Sequence, residues 1–146
     1  PAAVGRVLVC KIWIKKFWDL EIMTVSFEKF PVYKKSISYT VKIFELLENE
    51  NLKNEFSLKD QLKRAVLSIT NNIAEGSEYG SNKQFIRFLW IAKGSCAEVR
   101  NILFVLYNIN KIDEKTFDYL NEECLEITKE VFHFIKYLEK SNLWIK

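Results

Sequence analysis

An all-α fold, an antiparallel up-down-up-down four-helix bundle, is predicted for this chain by three observations. Apolar residues recur at three- and four-residue spacing in separate stretches between Pro31 and Leu138, which marks one buried face per helix. Only 4 Gly and 2 Pro occur in 146 residues, too little punctuation for the many tight turns of a β domain. The breaks between the stretches are short and polar, and short connections make consecutive helices antiparallel neighbours. With 49% hydrophobic and 28% charged residues, the chain has material for one domain with a sizeable core. Its 14% aromatic content must be packed centrally or hidden between subunits, so oligomerisation is an expectation from composition alone.

The elements follow in order. Helix one is expected from about Pro31 to Glu48, with Pro31 in the first turn and Tyr33, Ile37, Thr40, Val41, Phe44 and Leu47 lining one face. Turn-prone Glu48 to Asn51 closes it and opens the longest connection. Ser57 and Asp60 read as a capping box for helix two, whose inner face is Leu58, Leu62, Ala65, Ile69 and Ile73 and whose end is Gly76. Gly76, Ser77, Gly80 and Ser81 punctuate the gap. Ser81 and Gln84 read as a second capping box, opening a long central helix with Phe85, Phe88, Leu89, Ala92, Cys96, Val99, Leu103 and Leu106 inward, ending near Asn108 to Asn110. Asp113 or Thr116 caps the last helix, whose stripe is Phe117, Leu120, Cys124, Ile127, Val131, Ile135 and Leu138. The domain therefore spans 27–140, followed by a tail, 141–146, that is expected to fray, with docking of Trp144 as the alternative.

Residues 1–26 form an N-terminal arm whose apolar residues fit neither helical nor strand periodicity. It reads as an interface strand, a basic arm touching a membrane, or upstream sequence translated ahead of a native start at Met23; it lacks the order and cleavage site of a signal peptide. Cys10, Cys96 and Cys124 are far apart and odd in number, so no disulfide framework or zinc site is expected and a reducing cytoplasm fits. The longest apolar stretch, Ile102 to Tyr107, is far short of a membrane span.

The second and third helices form a hairpin, Ser68 to Gly76 and Phe85 to Ser95, that holds no nucleophile, metal-ligand cluster or phosphate-cradling glycine loop. Asn71, Asn72, Glu75, Ser95 and Glu98 lie on or beside its apolar stripes. They read as a structural polar network of Asn72, Glu75, Ser95 and Glu98, with Glu98 paired to Lys63 or Arg64 across the hairpin. The catalytic alternative makes Glu75 and Glu98 an acid and base pair, with no histidine or second pair to support it. His133 stands alone and reads as structural. No cofactor or metal is expected, and the protein reads as a non-enzyme. Gly94 in mid-helix costs about 1 kcal/mol relative to Ala, which close approach of another helix would offset. Trp90, four residues earlier on the same outward strip, joins it as a subunit or partner interface.

Residues 52–111 carry nine Lys or Arg against five Asp or Glu, and residues 112–146 carry five against eight. The hairpin is thus basic and the last helix acidic. Lys59, Lys63, Arg64, Lys83, Arg87, Lys93 and Arg100 are the expected nucleic-acid contacts, salt-sensitive and directed at phosphates. In a ring of copies, the acidic helix of one subunit would sit against the basic hairpin of the next. Aromatic interleaving in the style of an RNA-recognition sheet is absent.

Gln61-Leu62-Lys63-Arg64-Ala65, Ser68-Ile69, Asn72-Ile73-Ala74-Glu75-Gly76, Phe85, Phe88-Leu89, and Ile91-Ala92-Lys93-Gly94-Ser95 with Glu98 together resemble the bacterial four-helix bundle family. That family includes proteins encoded in intervening sequences of large-subunit ribosomal RNA genes and is related to the accessory variability determinant of diversity-generating retroelements. The resemblance covers about Phe27 to Leu138 and is closer to the intervening-sequence branch. It implies a four-helix bundle assembled as a homopentameric barrel with basic surfaces and, for the retroelement relatives, contact with nucleic acid and a reverse transcriptase. The expectation for this chain is a homo-oligomeric RNA-binding accessory protein; the alternative is a scaffold that docks a protein such as a reverse transcriptase through Trp90.

Overall fold

A computed structural model describes residues 26–141; the arm up to residue 25, the tail from 142, and with them Cys10 and Trp144 lie outside the described residues. Among the described residues the structure is all-helical: α1 (Pro31–Leu47), α2 (Phe56–Ser77), α3 (Asn82–Asn108) and α4 (Glu114–Lys140), with 3-10 turns at Phe27–Lys29 and Glu50–Leu52. Helix α3 packs between α2 and α4, and α1 closes the bundle against α2 and α4. Lys35 pairs with Glu130 while Lys42, two turns on, pairs with Glu123 two turns back, so α1 and α4 run antiparallel. Trp90 meets Phe132 and Phe104 meets Phe117, so α3 and α4 are antiparallel as well.

Periodicity located the helices well, and the inner faces of α2, α3 and α4 are nearly those expected. Leu62, Ala65, Ile69 and Ile73 are buried on α2, Leu89, Ala92, Cys96, Val99, Leu103 and Leu106 on α3, and Leu120, Cys124, Ile127, Val131, Ile135 and Leu138 on α4. Helix α1 is the exception. Its buried side chains are Val32, Ser36, Tyr39, Thr40, Ile43 and Leu47, whereas Ile37, Val41 and Phe44, expected inside, are 41%, 53% and 38% exposed. Apolar groups occupy more than one face of this helix. Tyr39 decides the rotation by donating its hydroxyl to the Leu120 carbonyl at 3.0 Å, and burial pushes its phenol pKa well above the ordinary value. Ser36 and Thr40 enter the core because each hydroxyl bonds the carbonyl four residues back, at 2.7 and 2.8 Å.

The ends depart from the expected caps in two of three cases. Helix α2 starts at Phe56 with Glu55 at the N-cap, and no side chain bonds there, so Ser57 and Asp60 form no capping box; Asp60 instead pairs with Arg64. Ser81 is the N-cap of α3 but makes no side-chain cap bond. Asp113 caps α4 as expected, accepting from the Thr116 N–H at 2.7 Å. At the far end of α3, Asn110 has φ 56°, and the Asn110 and Lys111 N–H groups bond Tyr107 and Leu106 carbonyls, which is a Schellman closure.

Gly76 does not stop α2. A Cβ there would stand 2.6 Å from Phe88 Cβ and 2.8 Å from Phe85 Cδ2, so the glycine lets the ends of α2 and α3 touch. The turn needs its glycine at Gly80, where φ is 62°.

Candidate nucleic-acid interface

The hairpin register follows from one contact: Ser95 Oγ donates to Ser68 Oγ at 2.8 Å across α2 and α3. Asn72 Nδ2 reaches the same Ser68 Oγ at 3.0 Å and the Ser68 carbonyl at 2.7 Å. Asn72 and Ser95 are thus joined, through Ser68, a residue the expected network omitted although its hydroxyl is one helical turn from Asn72. Glu75 and Glu98 are outside this junction. Glu75 accepts from the Tyr79 hydroxyl at 3.3 Å; Glu98 is exposed and pairs with neither Lys63 nor Arg64 among the described residues. Arg64 is committed to Asp60, and Lys63 leans over Phe44 at 5.8 Å from its centroid.

Counting from the Ser68 and Ser95 level, Glu75 lies seven residues one way and Glu98 three the other. The helical rise of 1.5 Å then places them on levels about 15 Å apart, too far to share a proton-transfer geometry.

The expected cations occupy three sectors. Lys59 and Lys63 lie on the α1 side of α2, half-buried, and Arg64 is exposed one position further round. Lys83 and Arg87 are exposed at the start of α3. Lys93 and Arg100 are on the α4 side of α3: Lys93 stands 5.3 Å from the Trp90 centroid, and Arg100 Nε donates to Asn121 Oδ1 at 2.9 Å. Of these seven side chains, Arg64 alone enters an ion pair among the described residues. Elsewhere Lys35, Lys42, Lys53, Lys111, Lys129 and Lys136 are all paired with carboxylates.

Two of the acidic residues on α4, Glu123 and Glu130, are met by Lys42 and Lys35 of the same chain, which leaves them less available to a neighbouring hairpin. Trp90 is 44% exposed and edges onto Phe132 at 6.3 Å. A Cβ on Gly94 would meet nothing within 4 Å, so no helix among the described residues explains that glycine.

Asn82 was not singled out by sequence. It is buried in the first turn of α3 and its Nδ2 bonds the Leu138 and Ser141 carbonyls at 3.1 and 3.0 Å, pinning the end of α4 to the hairpin turn. An isolated polar residue at a helix start carries no sequence signal for such a distant partner. A hollow of about 440 Å³ between the starts of α1 and the last turns of α4 is lined by Phe30, Pro31, Val32, Glu130, His133 and Phe134; neither Glu75 nor Glu98 borders it. No group of three His, Cys, Asp or Glu side chains placed to hold a metal ion occurs among the described residues, and no described helix is long and apolar enough to cross a membrane.

The 23S rRNA-intervening sequence protein family model matches residues 28–133. A crystal structure of a protein with unknown function from the S23 ribosomal protein family of Bacteroides thetaiotaomicron is similar at 30% identity and a TM-score of 0.66, over 72% of this chain and 98% of that one. A search of curated proteins finds no match.

Proposed function

This chain belongs to the 23S rRNA-intervening sequence protein family, and from that membership we propose that it is a non-enzymatic, self-associating accessory protein that binds structured RNA through the cations of α2 and α3. The observation that carries the reading is the distribution of ion pairs. Among the described residues Lys59, Lys63, Lys83, Arg87, Lys93 and Arg100 lack a carboxylate partner, while Lys35 and Lys42 on α1 and Lys129 and Lys136 on α4 have one. Unpaired cations release counterions when they meet phosphates. Self-association makes the sectors of several copies act together, and the family resemblance points to a pentamer. The exposed apolar strip Ile37, Val41 and Phe44 of α1 supplies the contact.

Filter binding of a stem-loop RNA across a salt series tests this. Affinity should fall steeply with salt, and Lys63→Glu, Lys83→Glu and Arg87→Glu together should abolish it. No binding at low salt, or binding unchanged by the triple replacement, overturns the reading.

A second reading is a scaffold that docks a protein such as a reverse transcriptase through Trp90 and Gly94. The open space at Gly94 favours it, because a partner helix can approach the backbone there. Pull-downs that survive nuclease and fail with Gly94→Leu would select it.

A further inference from the structure

The outward seam between α3 and α4 carries two aromatic rings, each with an ammonium over it. Trp90 and Phe132 lie edge to face with centroids 6.3 Å apart and are 44% and 37% exposed. Lys93 Nζ is 5.3 Å from the Trp90 centroid and Lys136 Nζ is 5.4 Å from that of Phe132. Of the α4 acids, Glu123 and Glu130 face α1 and are held there by Lys42 and Lys35, while Glu139 stays beside the seam as the partner of Lys136. Lys129 and Lys136 keep Glu126 and Glu139 as partners three residues away, at 2.8 and 2.7 Å, exposed pairs of the kind worth little. Lys93 has no carboxylate partner among the described residues.

We propose that this seam is a stacking platform for the unpaired bases of single-stranded RNA. Trp90 and Phe132 receive successive bases, and the ammoniums of Lys93 and Lys136 pass from the ring faces to the flanking phosphates. A protein partner fits the seam less well, because lysine is depleted from the buried centre of protein interfaces and here one stands over each ring. Duplex RNA fits less well too, since its bases are stacked on one another and offer no free face to the rings.

The inference rests on the RNA-binding reading above, and the test separates the two. Fluorescence anisotropy is measured with a labelled single-stranded RNA of about 12 nucleotides lacking self-complementarity, and with its perfect duplex. The single strand should bind the wild-type protein more tightly than the duplex. Trp90→Leu or Phe132→Leu should weaken the single strand about tenfold and leave the duplex unchanged, while Trp90→Phe keeps most of the affinity. Leucine preserves the apolar bulk, so a loss specific to it reports the ring. Equal loss on both RNAs, or no loss on either, overturns the platform with RNA binding intact. A change in subunit number on Trp90→Leu, measured by sedimentation, assigns the rings to a subunit contact and overturns it as well. Failure of the wild-type protein to bind either RNA sinks the RNA-binding reading itself.

Discussion

Sequence reads Gly76 as a helix end and Gly94 as a mid-helix glycine; the structure places both within helices and gives them opposite work. At Gly76 the space is already filled by Phe85 and Phe88, with a Cβ contact of 2.6 Å. The obstructing atom is the rigid Cβ of a neighbouring helix, so it cannot swing aside. Gly76→Ala should therefore destabilise the fold by about 1–3 kcal/mol, read from urea unfolding. At Gly94 there is open space within the chain, and alanine should raise the stability of the monomer by about 1 kcal/mol through helix propensity alone. If Gly94→Ala instead lowers stability in a concentration-dependent way, another copy of the chain packs against that backbone. Ser68 makes a third point at this scale: one hydroxyl serves both Asn72 and Ser95. Ser68→Ala should cost about 1 kcal/mol, and Ser95→Ala should add little once Ser68 is gone, because the two share a bond. A double-mutant cycle checks it.

Helices were legible where one face alone is apolar and illegible in rotation where two are. On α4 the stripe from Leu120 to Leu138 admits one solution, and the structure uses it. On α1 the strips Val32, Tyr39, Ile43 and Ile37, Val41, Phe44 compete, and the winner is set by tertiary chemistry: Tyr39 finds the Leu120 carbonyl, and the hydroxyls of Ser36 and Thr40 bond within the helix. None of that is visible in spacing. The Ser57 and Asp60 capping box failed for a related reason, because Asp60 has a cation four residues away in Arg64 that competes with the backbone. The candidate site was legible as a set of cations but not as three sectors, since sequence gives no register between helices. Asp113, by contrast, enters no ion pair among the described residues and does cap α4. Its bonds with Thr116, side chain first and then backbone, hold its carboxyl below the usual range. A depressed native pKa means stability that is present at neutral pH and lost as pH falls through that value. Asp113→Ala should therefore lower the melting temperature at pH 7, and the gap to the wild-type protein should close in acid. A gap independent of pH would show that the carboxylate's charge is not what holds the helix start.

For the whole molecule, the outside of the bundle is divided into faces of different chemistry, and their arrangement sets what assembly can do. The α1 strip of Ile37, Val41 and Phe44 borders α2 where Lys63 stands over Phe44; one turn along, the antiparallel packing brings Leu67, 40% exposed, level with Val41. Four large apolar side chains on one groove form a patch that water disfavours. A neighbouring copy seated there buries the patch while Lys63 extends its ammonium past the rim, and the cations at Lys83 and Arg87 and the rings at Trp90 and Phe132 stay open. The proposed assembly through α1 would then leave the proposed RNA-binding cations of α2 and α3 open, and RNA binding would gain avidity from assembly. Val41→Glu with Phe44→Glu, both at solvent-facing positions, should leave the helical content intact and shift sedimentation to the monomer. Affinity for a long RNA should then fall by about 10²-fold or more, while affinity for a strand short enough to occupy one subunit stays unchanged. If the double variant sediments as the wild-type protein does, the contact lies on another face, and the α1 strip requires a partner other than this chain.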